Sequence, residues 1–189
     1  MIHSAIAFLS LLLATAPTPA VVGKPAPDFK AVDETGKTWE LAQLKGQAVV
    51  LEWTNPGCPF VVRHYSADTM EKLAVALGAK DVVWLAVNST RSNTPDDTRK
   101  WKSEQGFAYP TLQDADGAIG HAYGARTTPH MYVIDGEGVL RYAGAIDDDP
   151  DGESATPVNY VDNGVKALLA GASPDPSETK PYGCSVKYK

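Results

Sequence analysis

The chain has 189 residues, of which 43% are hydrophobic and 21% charged, a composition suited to one globular domain with a single core. Its formal net charge of −6 and the lack of any Lys/Arg cluster exclude a nucleic-acid-binding surface, because phosphate recognition needs concentrated positive charge. The 2 cysteines allow no more than one intramolecular disulfide.

The chain opens on a segment unlike the rest. AIAFLSLLLATA, residues 5–16, is an unbroken small and apolar run. It is shorter than the roughly 20 residues that span a bilayer, and it fits the apolar segment of a secretion signal. Only the terminal amine precedes it as positive charge. Ala14-Thr15-Ala16 has the form of a cleavage site but is followed by the obstructing Pro17, so Thr18-Pro19-Ala20, with cleavage before Val21, is the better site. The alternative is a buried N-terminal helix. The expected organisation is a signal peptide over 1–20, one domain over 21–171, and a C-terminal tail over 172–189 that carries Cys184. Export would place the protein where disulfides persist.

Strands then alternate with helices. AVVLEW (48–53), DVVWLAVN (81–88) and HMYVID (130–135) are short apolar runs of the kind that form strands buried on both faces. Between the first two, Val61, Tyr65, Met70, Leu73 and Leu77 recur at roughly helical spacing, predicting one helix from near Cys58 to Gly78. PDDTRKWKSEQG (95–106) places Pro and acids first, bases later and Gly last, which predicts a second helix. IDGEGVLRY (134–142) reads as a hairpin, 158–170 as a final helix, and the Pro- and Ser-rich ASPDPSETKPYG (172–183) as an irregular connector. The fold class is therefore α/β, a small central sheet with helices on both faces. Functional groups in such sheets gather beyond the carboxyl ends of strands, where Cys58 lies.

A cysteine at a helix N-terminus sits beside unpaired backbone N–H groups and the positive end of the helix dipole, and both favour its thiolate. Pro59 suits the first helical turn, and Gly57 permits a tight approach to it. Arg63 and His64 could add positive charge but read as solvated or core-edge side chains. Cys184 follows a connector long enough to reach Cys58. Two readings of the pair stand open: a permanent staple closing a long loop, worth about 4–5 kcal/mol in the chain-entropy account, or a reversible redox couple. The helix N-terminal position favours the couple, since a staple gains nothing from it. Asp147 to Gly152 has the D-x-D-x-D-G opening of a calcium loop, but Val158 falls where a bidentate Glu is required, so a solvated acidic turn is expected. Cys58 with His64 and His130 would make a poor soft-metal site, having one cysteine where two are needed.

GKPAPDF (23–29), DETGKTWELAQLKGQAVVLEW (33–53), the cysteine at the strand-to-helix junction, TTPHMYVID (127–135) and the ending GCSVKY (183–188) together resemble the thioredoxin superfamily, in its redoxin branch of peroxiredoxin-like proteins. The resemblance implies a thioredoxin fold and a thiol-dependent oxidoreductase with Cys58 as nucleophile. Cys184 is then its resolving partner, and Thr128 and Pro129 form a cis-proline wall facing the thiol. Two positions depart from the peroxiredoxin pattern: Asn55 replaces its threonine, and Pro129 stands where its peroxide-binding arginine falls. Protein or small-molecule thiols and disulfides are accordingly the expected substrates, with peroxide a second class. No cofactor, metal, nucleic acid or membrane partner is implied after signal removal. The rival is a non-catalytic binding module of the same fold, stapled by its cysteines.

Overall fold

The computed structural model describes residues 19–189; the apolar run at 5–16 lies outside the described residues. Among the described residues no helix is long and apolar enough to cross a membrane. The elements are β1 (Lys30–Val32), β2 (Thr38–Glu40), β3 (Val49–Trp53), α1 (Pro59–Ser66), α2 (Thr69–Gly78), β4 (Val83–Asn88) and α3 (Pro95–Gln105), then β5 (Thr111–Gln113), α4 (Ala118–Tyr123), β6 (Thr127–Thr128), β7 (His130–Ile134), β8 (Leu140–Gly144), α5 (Tyr160–Leu169) and β9 (Cys184–Ser185).

The central sheet has the order β5-β4-β3-β7-β8. β3 runs parallel to β4, and β4 to β5, whereas β7 is antiparallel to both β3 and β8. This mixed sheet with covered faces is the thioredoxin fold that the sequence implied. The three apolar runs became the three central strands, and every residue of β3 and β7 is buried. Their side chains alternate between two cores, as the two-residue period of a strand requires. Val50, Met131 and Val133 face a cluster completed by α1, α2, α3 and α5, whereas Leu51, Trp53, Tyr132 and Ile134 face one completed by Phe29, Leu41 and α4.

The single helix expected between Cys58 and Gly78 is two. α1 ends at Ser66, and Asp68 adopts a left-handed conformation (φ 54°) before α2 begins. The cause is visible in the spacing: Tyr65 and Met70 lie five apart, and both are buried in the same cluster. A continuous 3.6-residue period cannot bring both to one face, and the break resets the phase. α3 is built as its sequence suggested. Thr94 and Asp97 form a reciprocal capping box, Pro95 opens the helix and Gly106 closes it in the left-handed region. The final helix begins at Tyr160 rather than 158, capped by the Asn159 side chain accepting from the Asp162 N–H. β1, β2, β5, β6, β9 and α4, short elements of two to six residues, show too little periodicity to be read beforehand.

Candidate active site

The chain leaves β3 at Trp53 and turns sharply into α1. Asn55 makes the turn: its side-chain oxygen accepts from the Gly57 N–H at 2.8 Å, and its carbonyl accepts from the Cys58 N–H at 3.0 Å. Cys58 is the N-cap residue of α1, with Pro59 at the first helical position and the Cys58 carbonyl taking the Val62 N–H at 2.9 Å. Thus the position expected from Gly57, Cys58 and Pro59 is the position found. The residue is wholly buried, at 0% exposure.

Facing it is the Thr128-Pro129 turn, and the bond between these two residues is cis. The Cys58 thiol donates to the Thr128 carbonyl at 2.9 Å. On the far side of Thr128 runs the C-terminal tail: Cys184 and Ser185 form β9, antiparallel to β6, with Cys184 opposite Thr128 and Ser185 opposite Thr127. All four residues expected from sequence, Cys58, Thr128, Pro129 and Cys184, therefore meet at one point. The Cys184 side chain packs beside the Cys58 thiol.

The two thiols are opposite in acidity. Burial opposes ionisation of Cys58, but its polar surroundings, the Cys184 and Thr128 side chains first and the Val61 and Cys184 backbone after them, favour the thiolate and together hold it below the ordinary thiol value. Cys184 is pushed up to about 11, first by burial and then by the neighbouring Cys58 sulfur.

The tail is sewn down on both sides of Cys184. Upstream, the Tyr182 hydroxyl donates to Asp147 Oδ1 at 2.5 Å and lies 2.9 Å from His64 Nε2. Because the phenol's one proton goes to Asp147, His64 Nε2–H is the donor. Burial, reinforced by Arg63 and opposed by Asp147 and Asp149, holds His64 below its usual range. Arg63 in turn donates to the carbonyls of Asp149 and Pro150 at 2.8 Å each. Downstream, the Val186 N–H donates to Arg126, the Tyr188 hydroxyl donates to the Ala125 carbonyl at 2.7 Å, and the Tyr188 ring stacks on His121. Gly183, between the anchors, has φ +124°, and a Cβ there would lie 2.1 Å from the Thr128 carbonyl oxygen. Only glycine lets the tail approach so closely.

These contacts refine two expectations. His64 is a buried core-edge side chain that holds Tyr182 of the tail, and Arg63 is not simply solvated but holds the carbonyls of Asp149 and Pro150 in the 147–152 loop. The acidic loop is not merely a solvated turn. Asp147 is buried and receives Tyr182, while Asp148 caps the Val158 N–H and Asp149 caps those of Glu153 and Ser154. The candidate set of Cys58, His64 and His130 does not converge. His130 packs against Tyr132 on the opposite face of the sheet, where burial lowers its pKa to about 3, and among the described residues no three His, Cys, Asp or Glu side chains group closely enough for a metal.

Sequence reading missed one further group. Glu52, wholly buried on β3, accepts from Tyr65 and Trp84 at 2.9 Å each. Burial raises its pKa to about 7 against the pull of these hydrogen bonds. A glutamate inside the run AVVLEW was the available signal, because a strand buried on both faces cannot hold an acid without partners.

Comparisons with known proteins agree with this geometry. Residues 22–143 match the model of the AhpC/TSA family, and Cys184 lies beyond the match. The chain is 34% identical over 132 residues to the thiol:disulfide interchange protein DsbE of Yersinia pestis, covering 68% of this chain and 66% of that one, so it spans about two thirds of that relative's length. It is 30% identical over 185 residues to peroxiredoxin-2 of Macaca fascicularis, covering 86% and 91% of the two chains. The crystal structure of a hypothetical protein from Sinorhizobium meliloti superposes with a TM-score of 0.81 at 26% identity, covering 91% and 97%. With the match spanning more than half its length and enclosing Cys58, Thr128 and Pro129, the chain belongs to the AhpC/TSA family.

Proposed function

We propose that this is an exported thiol–disulfide oxidoreductase in which Cys58 is the nucleophile and Cys184 resolves it. The observation that carries the reading is the contact between the two thiols together with their opposed acidities. A staple needs only proximity, whereas an acidic thiol beside a basic one is the arrangement of an attacking and a resolving sulfur. Export rests on the apolar run at 5–16. Thiol–disulfide exchange is also the activity named for the DsbE relative.

The Cys58 thiolate attacks one sulfur of a substrate disulfide, forming a mixed disulfide and releasing the other half as a thiolate. Cys184 then loses its proton and attacks the Cys58 sulfur. The second half of the substrate leaves as a thiolate, and a Cys58–Cys184 bridge remains. Two electrons have passed from the protein to the substrate. Thr128 holds the reacting sulfur at its carbonyl, and Pro129 completes the wall beside it. Because Tyr182 to Cys184 cover Cys58, the first attack requires this strap to lift, which non-covalent anchors permit.

Peroxide is the second substrate class, favoured by the peroxiredoxin-2 similarity. Its reduction needs donors aimed at the developing oxyanion, and one such donor is typically worth a hundred-fold or more in rate. Asn55, in the place of the peroxiredoxin threonine, has its side-chain oxygen engaged by the Gly57 N–H, Pro129 has no N–H, and Arg63 is committed to loop carbonyls. In a Cys184→Ser background, which traps the first adduct, Cys58 should therefore react faster with oxidised glutathione than with hydrogen peroxide. A peroxide rate far above that of a free acidic thiol would make the protein a peroxidase. Inertness to both reagents would leave the binding module.

A further inference from the structure

Cys58 and Cys184 pack with the core on one face of the sheet, and a cavity of about 560 Å³ opens against the other, between the sheet and the C-terminal tail. Neither cysteine lines it. Its volume is that of a small-molecule site. Arg126, His130 and Tyr132 line it from the body of the domain, and Glu178, Pro181 and Tyr188 from the tail. The tail wall is firmly seated. The Tyr188 hydroxyl donates to the Ala125 carbonyl at 2.7 Å, the ring stacks on His121 with 4.2 Å between centroids, and a Cβ at Gly120 would collide with it.

His130 supplies a polar floor. It is 5% exposed, and its Nδ1 accepts from the Arg126 N–H at 3.4 Å and lies 3.1 Å from the Tyr132 hydroxyl. Burial keeps the ring neutral, so with Nδ1 accepting, the proton sits on Nε2. Among the described residues Nε2 has no hydrogen-bond partner, and the Arg126 guanidinium has none either, although its charge is close enough to act on both His130 and Tyr132. A buried N–H donor and a cation thus meet the same space unpaired, beside the apolar faces of Tyr132, Pro181 and Tyr188. The carboxylate of Glu178 stands across from them, on the exposed tail side.

We propose that this cavity binds a small organic carboxylate, and that the bound molecule holds the tail closed over Cys58. The carboxylate oxygens accept from the Arg126 guanidinium and from His130 Nε2–H, and the hydrocarbon part lies against Tyr132, Pro181 and Tyr188. A neutral ligand would leave the arginine unpaired, and a cationic one would be repelled by it. Because the two walls belong to the body and to the tail, the site is complete only when the tail is down. A ligand that needs the closed arrangement shifts the population toward it, and closure in turn tightens the ligand. The carboxylate therefore acts as an effector of access to Cys58 from a site that contains neither thiol.

The test uses the reduced full chain, titrated at fixed ionic strength with acetate, hexanoate and benzoate and with the matching neutral amides, binding being read from the His130 and Tyr188 ring resonances. At least one acid should bind about tenfold or more tighter than its amide. That preference should vanish in Arg126→Gln and should persist or grow in Glu178→Gln, which removes a like charge. At saturation, alkylation of Cys58 by N-ethylmaleimide, mapped by peptide mass, should slow about fivefold or more in the parent and stay unchanged in Arg126→Gln. No binding by any of the three acids, equal binding of acid and amide, or a preference that survives Arg126→Gln overturns the site. Binding that leaves the Cys58 alkylation rate unchanged overturns the hold on the tail. Both readouts are independent of whether the two thiols cycle, so either failure leaves the redox couple standing.

Discussion

At the scale of single residues, Cys58 was legible because its neighbours are diagnostic: Gly57 and Pro59 mark a helix start, and a helix start favours a thiolate. What sequence could not supply was the identity of the groups around it that favour the thiolate. Cys184 is one of them. Its replacement by Ala removes a polar neighbour that favours the thiolate, so the Cys58 pKa should rise, read from the pH dependence of thiolate ultraviolet absorbance. An unchanged or lower value would mean that the helix N-terminus alone sets the acidity. Glu52 was visible as an acid inside an apolar run, but its partners Tyr65 and Trp84 come from separate elements. Its folded pKa of about 7 exceeds the ordinary 4.5. The folded state therefore binds this proton more tightly, and the associated stability is complete below about pH 4.5 and lost as pH rises through about 7. The contribution is on the order of 3 kcal/mol. Urea unfolding at about pH 5 and about pH 8 should show that decline, and Glu52→Gln should flatten it.

At the scale of elements, β3, β4, β7, β8 and α3 follow from patterns within a few residues, whereas the break between α1 and α2 depends on a single five-residue step from Tyr65 to Met70. The strap is harder still. Its element β9 has two residues, and its anchors Tyr182, Gly183 and Tyr188 find partners far away in sequence, so no local signal marks them. Two variants address it. Gly183→Ala places a methyl group against the Thr128 carbonyl in a left-handed backbone, costing roughly 1–3 kcal/mol. The strap should loosen, so Cys58 alkylation in the reduced protein should speed up while formation of the Cys58–Cys184 bridge slows. Equal rates in variant and parent would show that the tail does not cover the thiol in solution. Tyr182→Phe leaves buried Asp147 without its phenol donor and should cost about 1–3 kcal/mol of unfolding free energy. A loss within about 0.5 kcal/mol of zero would mean that water replaces the phenol without penalty.

At the scale of the whole molecule, strand order and the split into two cores came only with the structure, but a small sheet covered on both faces was within reach of sequence because short apolar runs admit few arrangements in an α/β chain. The fold-back of the tail was not, since nothing short of the assembled sheet creates the Thr127–Thr128 edge on which it lies. That fold-back turns two cysteines distant in sequence into one site, and whether the site works or merely holds the chain closed is the central question. Equilibrating the purified protein in a series of thiol–disulfide buffers and measuring the fraction of Cys58 open to alkylation after denaturing quench answers it. Reversible bridging of Cys58 to Cys184 is expected at a potential well above about −300 mV, where a working couple lies. A midpoint below that value, or a Cys58 that stays alkylatable under every buffer because no bridge forms, would contradict it.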